Sequence, residues 1–320
     1  MGRLRQGRQR GRRDSKEVHG GQKVIKTTVI GSIPVVGEGT NAIRTAVNDQ
    51  LEAGIEVISD GQTRKDMVAY YADHIPGFKV EDGRTQIVGR IKPPEETPVS
   101  KDLMFAKNLA KGRAEVKAII TGPVTMVFFS ELSPTAPYRG FRDEALYRDM
   151  AEALAVEADL IQKEGFFYFQ IDEPSFSIGA PMSLAKAAIE KTIWGIRGTK
   201  ALHACGNLKR TFADIVKIDG LDVLSLAFKD YVSNFDTVER RVIEDYSKRL
   251  GVGCVSSLEN KVEDVDTIRG VVRKALGVYG VDNIAWIHPD CGQRALEREA
   301  VRSKLKNMVL ALKGMEAELR

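Results

Sequence analysis

The sequence has little cysteine and little histidine: its 320 residues include three of the first and four of the second. Three cysteines, Cys205, Cys254 and Cys291, cannot supply the disulfide framework of a small secreted protein. Free thiols indicate a reducing compartment, in which cysteine is available for metal binding or for chemistry. The scarcity of cysteine therefore favours a cytoplasmic protein.

Long apolar runs are missing as well. No stretch approaches the roughly 18 consecutive apolar residues of a membrane-spanning helix, and the first residues lack the apolar core of a secretory signal. We therefore expect a soluble protein without a membrane partner. A chain of 320 residues can bury a large core, either as one α/β domain or as two smaller domains.

Acidic residues are scarce in the first 26 residues, where nine Lys or Arg stand against Asp14 and Glu17. The whole chain carries a formal charge of +4, so the remainder is net negative. Residues 1–23 are also nearly free of large apolar side chains, which predicts a disordered basic tail. Such a tail attracts phosphates. The more common explanation of such a basic segment, however, is a solvated tail or a start site placed too far upstream. We therefore do not expect a nucleic-acid partner.

Strand-like and helix-like segments alternate from residue 24 onward. The strand candidates are residues 24–34, 55–61, 117–123, 166–174, 200–206, 221–228, 251–257 and 284–292. The amphipathic helix candidates are residues 42–54, 143–165, 183–198, 237–251, 265–280 and 298–319. This alternation predicts an α/β fold, a (β/α)₈ TIM barrel that forms a single domain over residues 24–320. A doubly wound open sheet is the alternative.

Two stretches interrupt the alternation. Residues 77–100 read as a hairpin that turns at Asp82-Gly83, followed by a Pro-rich loop. Residues 124–140 form a long aromatic segment after the third strand candidate. Loops that follow barrel strands lie on the substrate-binding face, so both insertions are candidate lids.

Polar side chains collect at the carboxyl ends of the strand candidates, where barrel enzymes build their active sites. His203 and Cys205 are two residues apart, so their side chains point the same way. Alone, this pair is weak evidence for a metal, and a buried histidine beside an inert cysteine is the more common arrangement. Cys291 follows the last strand and faces the same mouth. An imidazole and two thiolates suit zinc, with a fourth position open for water or substrate, as in catalytic sites.

Six short motifs carry a resemblance to a known family. In chain order they are TTVIGSIP, SDGQTRKDMV, ITGPVT, QIDEP, HACGN and HPDCG. The chain resembles the catalytic half of cobalamin-independent methionine synthase, above all its short core forms. The resemblance covers roughly residues 25–312 and implies a TIM barrel, in agreement with the strand candidates.

The resemblance also implies roles for individual residues. Zinc would be held by His203, Cys205 and Cys291, and the homocysteine sulfur would enter as a further ligand. Asp172 would bind the substrate amino group and belong to the catalytic set with the three metal ligands, although it is also placed to cap the following helix. The remaining implied substrate contacts are Ser32, at the substrate carboxylate, Gln62, where the long enzymes have a glutamate, and Glu173.

One position departs from the family pattern. The family has a glutamate as fourth zinc ligand at the end of the sixth strand, where this sequence has Ala227. Asp230 lies three residues farther on. Related barrels that methylate coenzyme M lack that glutamate, so the expected acceptor is homocysteine, with coenzyme M or another small thiol as the alternative. The short forms imply a methylated corrinoid protein as donor, since the chain has no second barrel for methylfolate.

Two other classes remain as alternatives. A uroporphyrinogen-decarboxylase-like barrel shares the architecture but needs no zinc–thiolate site. A non-catalytic zinc-binding barrel would hold metal without transferring a methyl group to a thiol. A metal assay separates the first class from a zinc methyltransferase, and a transfer assay separates the second.

Overall fold

The computed structural model describes residues 25–315 and residue 318. The predicted tail, residues 1–23, lies outside the described residues. The strands are β1 Lys26–Thr27, β2 Val57–Ile58, β3 Phe78–Glu81, β4 Arg84–Ile87, β5 Glu115–Thr121, β6 Glu131–Leu132, β7 Tyr168–Asp172, β8 Thr199–Ala204, β9 Val223–Ala227, β10 Arg249–Val255 and β11 Ile284–Pro289.

Eight of these strands pair in parallel in the order β1-β11-β10-β9-β8-β7-β5-β2. A parallel bridge between Thr28 and Val57 joins the two ends of this sheet and closes the ring. Each of the eight strand candidates contributes one strand, which confirms the single TIM barrel and excludes the open sheet. The remaining strands, β3, β4 and β6, form a small separate sheet.

Helices surround the barrel. They are α1 Gly39–Ala53, α2 Met67–Ala72, α3 Pro98–Ala110, α4 Pro123–Phe128, α5 Glu144–Lys163, α6 Met182–Ile193, α7 Phe212–Ile215, α8 Asn234–Thr237, α9 Arg240–Asp245, α10 Val265–Tyr279 and α11 Arg298–Lys313. Local chemistry sets several of their ends. Asp143 caps α5 by accepting from the backbone N–H of Ala145, and Gly54 ends α1 in the left-handed conformation.

Two helical regions differ from the sequence-based expectation. The helix expected over residues 237–251 spans only Arg240–Asp245, because Arg249–Val255 is pulled into the sheet between β9 and β11. The loop expected up to residue 100 instead begins a helix at Pro98, with the Thr97 hydroxyl accepting from the backbone N–H of Val99. The hairpin turn at Asp82-Gly83 is confirmed, since both residues have positive φ.

The apolar core lies between the strands and the helices, whereas the inside of the barrel is unusually polar. Its buried interior side chains include Lys117, Gln170, His203, Ser225 and His288. Barrel interiors are more commonly filled by branched apolar residues. The polar interior therefore needs a hydrogen-bonding explanation of its own.

None of the helices among the described residues combines the length and the apolar composition needed to cross a bilayer.

The first and last helices of the barrel are joined by a buried carboxylate. Asp49 of α1 accepts from Nε and Nη2 of Arg298 in α11, at 2.7 and 2.8 Å. Asp49 is 2% exposed, so water hardly reaches its carboxylate to compete for these hydrogen bonds. The contact reinforces the ring beside its weakest junction, the single bridge that joins β1 to β2.

We predict that Asp49→Ala lowers the free energy of unfolding by about 1–2 kcal/mol, because it leaves the half-exposed Arg298 without its partner. Urea unfolding measures this loss. Glu52→Ala is the matched control, since Glu52 is largely exposed and pairs with Arg302 at the surface. Its effect should stay within about 0.5 kcal/mol. Equal effects of the two changes would contradict the special role of Asp49.

Candidate active site

Three soft ligand atoms converge at the carboxyl end of the barrel. His203 lies on β8, Cys205 follows that strand, and Cys291 follows β11; their ligand atoms all lie within 4.8 Å of one another. The three side chains that the sequence predicts at one mouth of the barrel therefore lie together in the structure. The neighbouring Cys291 thiol lowers the pKa of Cys205, whereas the Cys205 thiol and burial raise the pKa of Cys291.

The environment of His203 fits a metal ligand. Its Nδ1 contacts the backbone oxygen of Ser225 at 2.9 Å, which fixes the ring. Its Nε2 is buried and has no hydrogen-bond partner among the described residues. A buried ring nitrogen without a partner is costly unless something else satisfies it. One such nitrogen beside two thiols is a donor set that suits Zn²⁺, with the Nδ1 contact fixing the tautomer.

No carboxylate joins this trio in the part of the chain that the structure describes. Ala227 is fully buried at the end of β9. Asp290, the residue before Cys291, accepts from the backbone N–H groups of Phe228, Lys229 and Asp230 at 3.0, 3.1 and 2.5 Å. The Asp230 carboxylate in turn accepts from the backbone N–H of Ser257 at 3.1 Å. Both acids are therefore engaged in holding loops.

A buried asparagine holds the neighbouring loops together. Asn234 donates from Nδ2 to the backbone oxygens of Gly206 and Ala227, at 2.9 and 2.7 Å. Its Oδ1 accepts from the backbone N–H of Leu208 at 3.1 Å. Asn234 thus ties the loop after Cys205 to the end of β9. With Asp290, it connects all three loops around the trio.

Asp172 lies next to the metal-ligand candidates. It pairs with His203 in the parallel register of β7 and β8. Its Oδ1 accepts from Gln170 Nε2 at 2.6 Å, and no donor among the described residues reaches its Oδ2. Burial raises the pKa of this carboxyl group. Asp172 therefore offers one free oxygen to a cationic group that enters the mouth.

The structure also places Ser32 and Gln62 near the mouth. The Ser32 side chain packs against Gly292, next to Cys291, so closely that a Cβ at Gly292 would collide with its hydroxyl. The backbone N–H of Gln293 donates to the Ser32 oxygen at 2.8 Å. Gln62 has a positive φ of 46° and lays its amide over Gly31. Ser32 is thus beside the thiols, whereas Gln62 borders the site from β2.

Glu173 faces away from the trio. Its carboxylate accepts from the backbone N–H groups of Val124 and Thr125 at 3.0 and 2.8 Å, and from the Thr125 hydroxyl at 2.6 Å. These donors form the first turn of α4. Gly122 is needed beside them, because a Cβ there would overlap the Glu173 side chain. We interpret Glu173 as the support of α4, and its expected contact with substrate stays a prediction.

Sequence reasoning missed the polar residues that support the site, among them Lys117, Gln170, Asn234 and Asp290. One signal was available: Lys117 is a lone charged residue inside the otherwise apolar run VKAIIT. A lysine within a buried strand requires a partner.

Comparisons with known proteins agree with this geometry. Residues 15–313 match the family model described as the catalytic domain of cobalamin-independent synthases. The match confirms the resemblance of the six motifs and begins inside the segment expected to be a tail. A methionine synthase from Methanothermobacter thermautotrophicus is 37% identical over 314 residues, which cover 89% of this chain and 98% of that protein. One from Methanocaldococcus jannaschii is 34% identical over 317 residues, covering 90% and 98%.

A solved structure supports the fold. A B12-independent methionine synthase from Shewanella sp. W3-18-1, in complex with selenomethionine, matches with a TM-score of 0.76 and 21% identity. The match covers 92% of this chain and 98% of that one. At this level of identity it supports the barrel alone.

His288 gives the site a pH-dependent stability. Burial lowers the pKa of His288 to about 3, from an ordinary value of 6.5. The unfolded chain therefore binds a proton between these two values that the folded chain does not bind. Stability falls as the pH drops below 6.5, by up to about 1.4 kcal/mol per pH unit.

We predict that His288→Asn makes stability less dependent on pH between about pH 6.5 and pH 4, because the titrating group is gone. Urea unfolding of metal-free wild type and variant across this range measures the slopes. Metal is removed because ligand protonation would add its own pH dependence. Parallel slopes would show that His288 titrates normally in the folded protein.

Proposed function

Because the chain belongs to the cobalamin-independent synthase family, we propose that it transfers a methyl group to the thiol of homocysteine and forms methionine. One observation carries this proposal: His203, Cys205 and Cys291 converge beside Asp172. A soft metal-ligand trio suits a thiol acceptor, and a carboxylate with a free oxygen suits the amino group of an amino acid.

The metal is proposed to be Zn²⁺, held by His203 Nε2 and by the sulfur atoms of Cys205 and Cys291. A free thiol is mostly protonated at neutral pH. Bound Zn²⁺ would hold the acceptor sulfur as a thiolate, ready to displace a methyl group from its donor. Ala227 brings no carboxylate to the trio, so the metal would remain free to take the acceptor sulfur as a further ligand.

The chain's own residues orient the acceptor. Asp172 receives the ammonium group of the amino acid on its free oxygen, while Ser32 donates from its hydroxyl to the substrate carboxylate. Gln62 contributes a second polar contact at the amino-acid end. Together these contacts hold the sulfur in line with the incoming methyl group, and such alignment supplies much of the rate of a direct displacement.

We propose a methylated corrinoid protein as the donor. The support is an apolar rim around the mouth, on loops that follow β1, β5, β7, β9 and β10. Its exposed side chains are Val35, Val36, Phe128, Phe129, Phe141, Ile178, Val232 and Leu258. Exposed apolar side chains at the mouth suit a surface that another macromolecule covers. The reduced thiols of the site also fit a cytoplasmic setting.

A second acceptor follows from Ala227. With no carboxylate at that position, the trio brings two anionic ligands at most, and a Zn²⁺ there would stay more electropositive. An anionic thiol such as coenzyme M is then also attracted. It has no amino group for Asp172, however, so the free oxygen of Asp172 favours homocysteine.

We predict one zinc per chain in freshly purified protein, and loss of most of it in Cys291→Ser, which retains only two ligands. Elemental analysis measures both. Cys254→Ala is the matched control, because Cys254 is a buried cysteine outside the trio. This variant should keep its zinc. An intact fold without zinc, after growth in zinc-supplemented medium, would contradict the metal assignment.

We also predict methyl transfer from methylcobalamin to homocysteine by the zinc-loaded protein. Methylfolate as donor and coenzyme M as acceptor should give little product. The measurement is methionine formation with each donor and acceptor pair. Transfer to coenzyme M alone would move the chain to the second acceptor, and no transfer to any thiol would overturn the proposed function.

A further inference from the structure

Lys117 is a buried lysine inside the barrel. It lies on β5 and is 1% exposed. Its Nζ donates to the backbone oxygen of Val29, and to Gln170 Oε1 at 2.5 Å. Burying an ammonium group is expensive unless it is paired and hydrogen-bonded. Its partners here are two neutral oxygens, so its role is not that of a simple ion pair.

The contact with Lys117 fixes the orientation of the Gln170 amide. In its ammonium form a lysine can only donate, so the amide presents its oxygen to Nζ. The amide nitrogen is then directed to two acceptors, the backbone oxygen of Ile30 at 2.7 Å and Asp172 Oδ1 at 2.6 Å. With the opposite orientation, an amide oxygen would face the Asp172 carboxylate. Lys117 therefore decides whether Asp172 receives a donor or meets a repelling acceptor.

The same arrangement leaves the outer side of Asp172 free. A lysine paired directly with Asp172 would occupy the oxygen that an incoming ammonium group needs. Here Lys117 contacts Gln170, and Gln170 contacts Asp172, so the lysine acts on Asp172 indirectly. Its positive charge still offsets the buried Asp172 carboxylate. Burial lowers the pKa of Lys117 to about 7, and the nearby Asp172 carboxylate opposes that fall, which favours the ammonium form.

We propose that Lys117 is a positioning residue for the amino group of the acceptor: through Gln170 it orients Asp172 so that one carboxylate oxygen faces the substrate ammonium. The inference rests on the proposed function, since it concerns how the same site recognises an amino acid. It adds a residue that contacts neither the substrate nor the metal-ligand trio. The selectivity of the site for thiols with an amino group then depends on a lysine within the barrel.

The test compares two acceptors that differ in the amino group alone. Homocysteine has it, and 4-mercaptobutanoate has the same thiol and carboxylate without it. Affinities are measured by calorimetry on zinc-loaded protein, and KM and kcat by transfer from methylcobalamin. The variants are Lys117→Met, which removes the donor at similar length, and Gln170→Glu, which keeps the contact with Lys117 but cannot donate to Asp172 when ionised.

Lys304→Met is the matched control. Lys304 is a second fully buried lysine, but it pairs with Glu263 on the outer side of the barrel, at 2.8 Å. Its replacement should cost stability without changing the preference between the two acceptors. Zinc content is measured in every variant, so that a damaged metal site is not mistaken for lost recognition.

We expect Lys117→Met and Gln170→Glu to weaken homocysteine binding roughly tenfold or more, the size expected when a hydrogen bond involving a charged group is lost. KM should rise by a similar factor with kcat nearly unchanged, and 4-mercaptobutanoate should bind as before. If Lys117→Met does not fold, Gln170→Glu tests the contact through which Lys117 would act on Asp172, and an unchanged preference in that variant overturns the inference.

Three outcomes would overturn the inference. If the wild type prefers homocysteine and both variants keep that preference, Lys117 has no part in positioning and the proposed function stands. If binding of both acceptors weakens equally in the variants, the effect of Lys117 is structural, and again only the inference fails. If the wild type itself shows no preference for the amino thiol, the proposed acceptor site is wrong and the inference fails with it.

Discussion

Polar side chains inside the barrel depend largely on one another for hydrogen bonds, because the closed ring of strands excludes water from them. At the amino-terminal end, Lys26 donates to the Tyr168 hydroxyl at 2.9 Å. Closer to the carboxyl ends of the strands, the Ser225 hydroxyl accepts from Trp286 Nε1 at 3.0 Å. The backbone oxygen of Ser225 contacts the His203 ring and fixes it. Each layer thus restrains the layer above it. The active-site groups at the mouth are oriented from below, by residues that no substrate touches.

Much of the barrel could be predicted from the sequence, because parallel strands covered by helices read as apolar runs that end in polar residues. Residues 237–251 show where this reasoning stops. Their helical pattern continues to Leu250, yet hydrogen bonding to β9 and β11 makes Arg249–Val255 a strand. Pairing partners far away in the sequence override the local pattern there. At Pro98 the error has the opposite direction, because the proline indicated a loop where a helix begins. Proline is in fact favoured in the first turn of a helix.

The candidate metal-ligand trio was accessible to sequence reasoning, because strand ends and a spacing of two residues define where side chains converge. The supporting residues were not accessible, because Lys117 and Gln170 are 53 positions apart and meet only once β5 and β7 are known to be neighbours. Glu173 is different. It is adjacent to Asp172, and neighbouring strand residues point to opposite sides. Alternation alone was enough to separate the two acids.

Ala227 changes the charge of the proposed metal site more than its shape. Asn234 and Asp290 tie together the loops that carry the ligands, through buried hydrogen bonds to backbone atoms. The spacing of His203, Cys205 and Cys291 therefore does not depend on a fourth protein ligand. What a carboxylate at position 227 would add is one negative charge beside two thiolates. Without that carboxylate, the two thiolates would just balance the +2 charge of Zn²⁺. An anionic acceptor sulfur could then join without first displacing another anion.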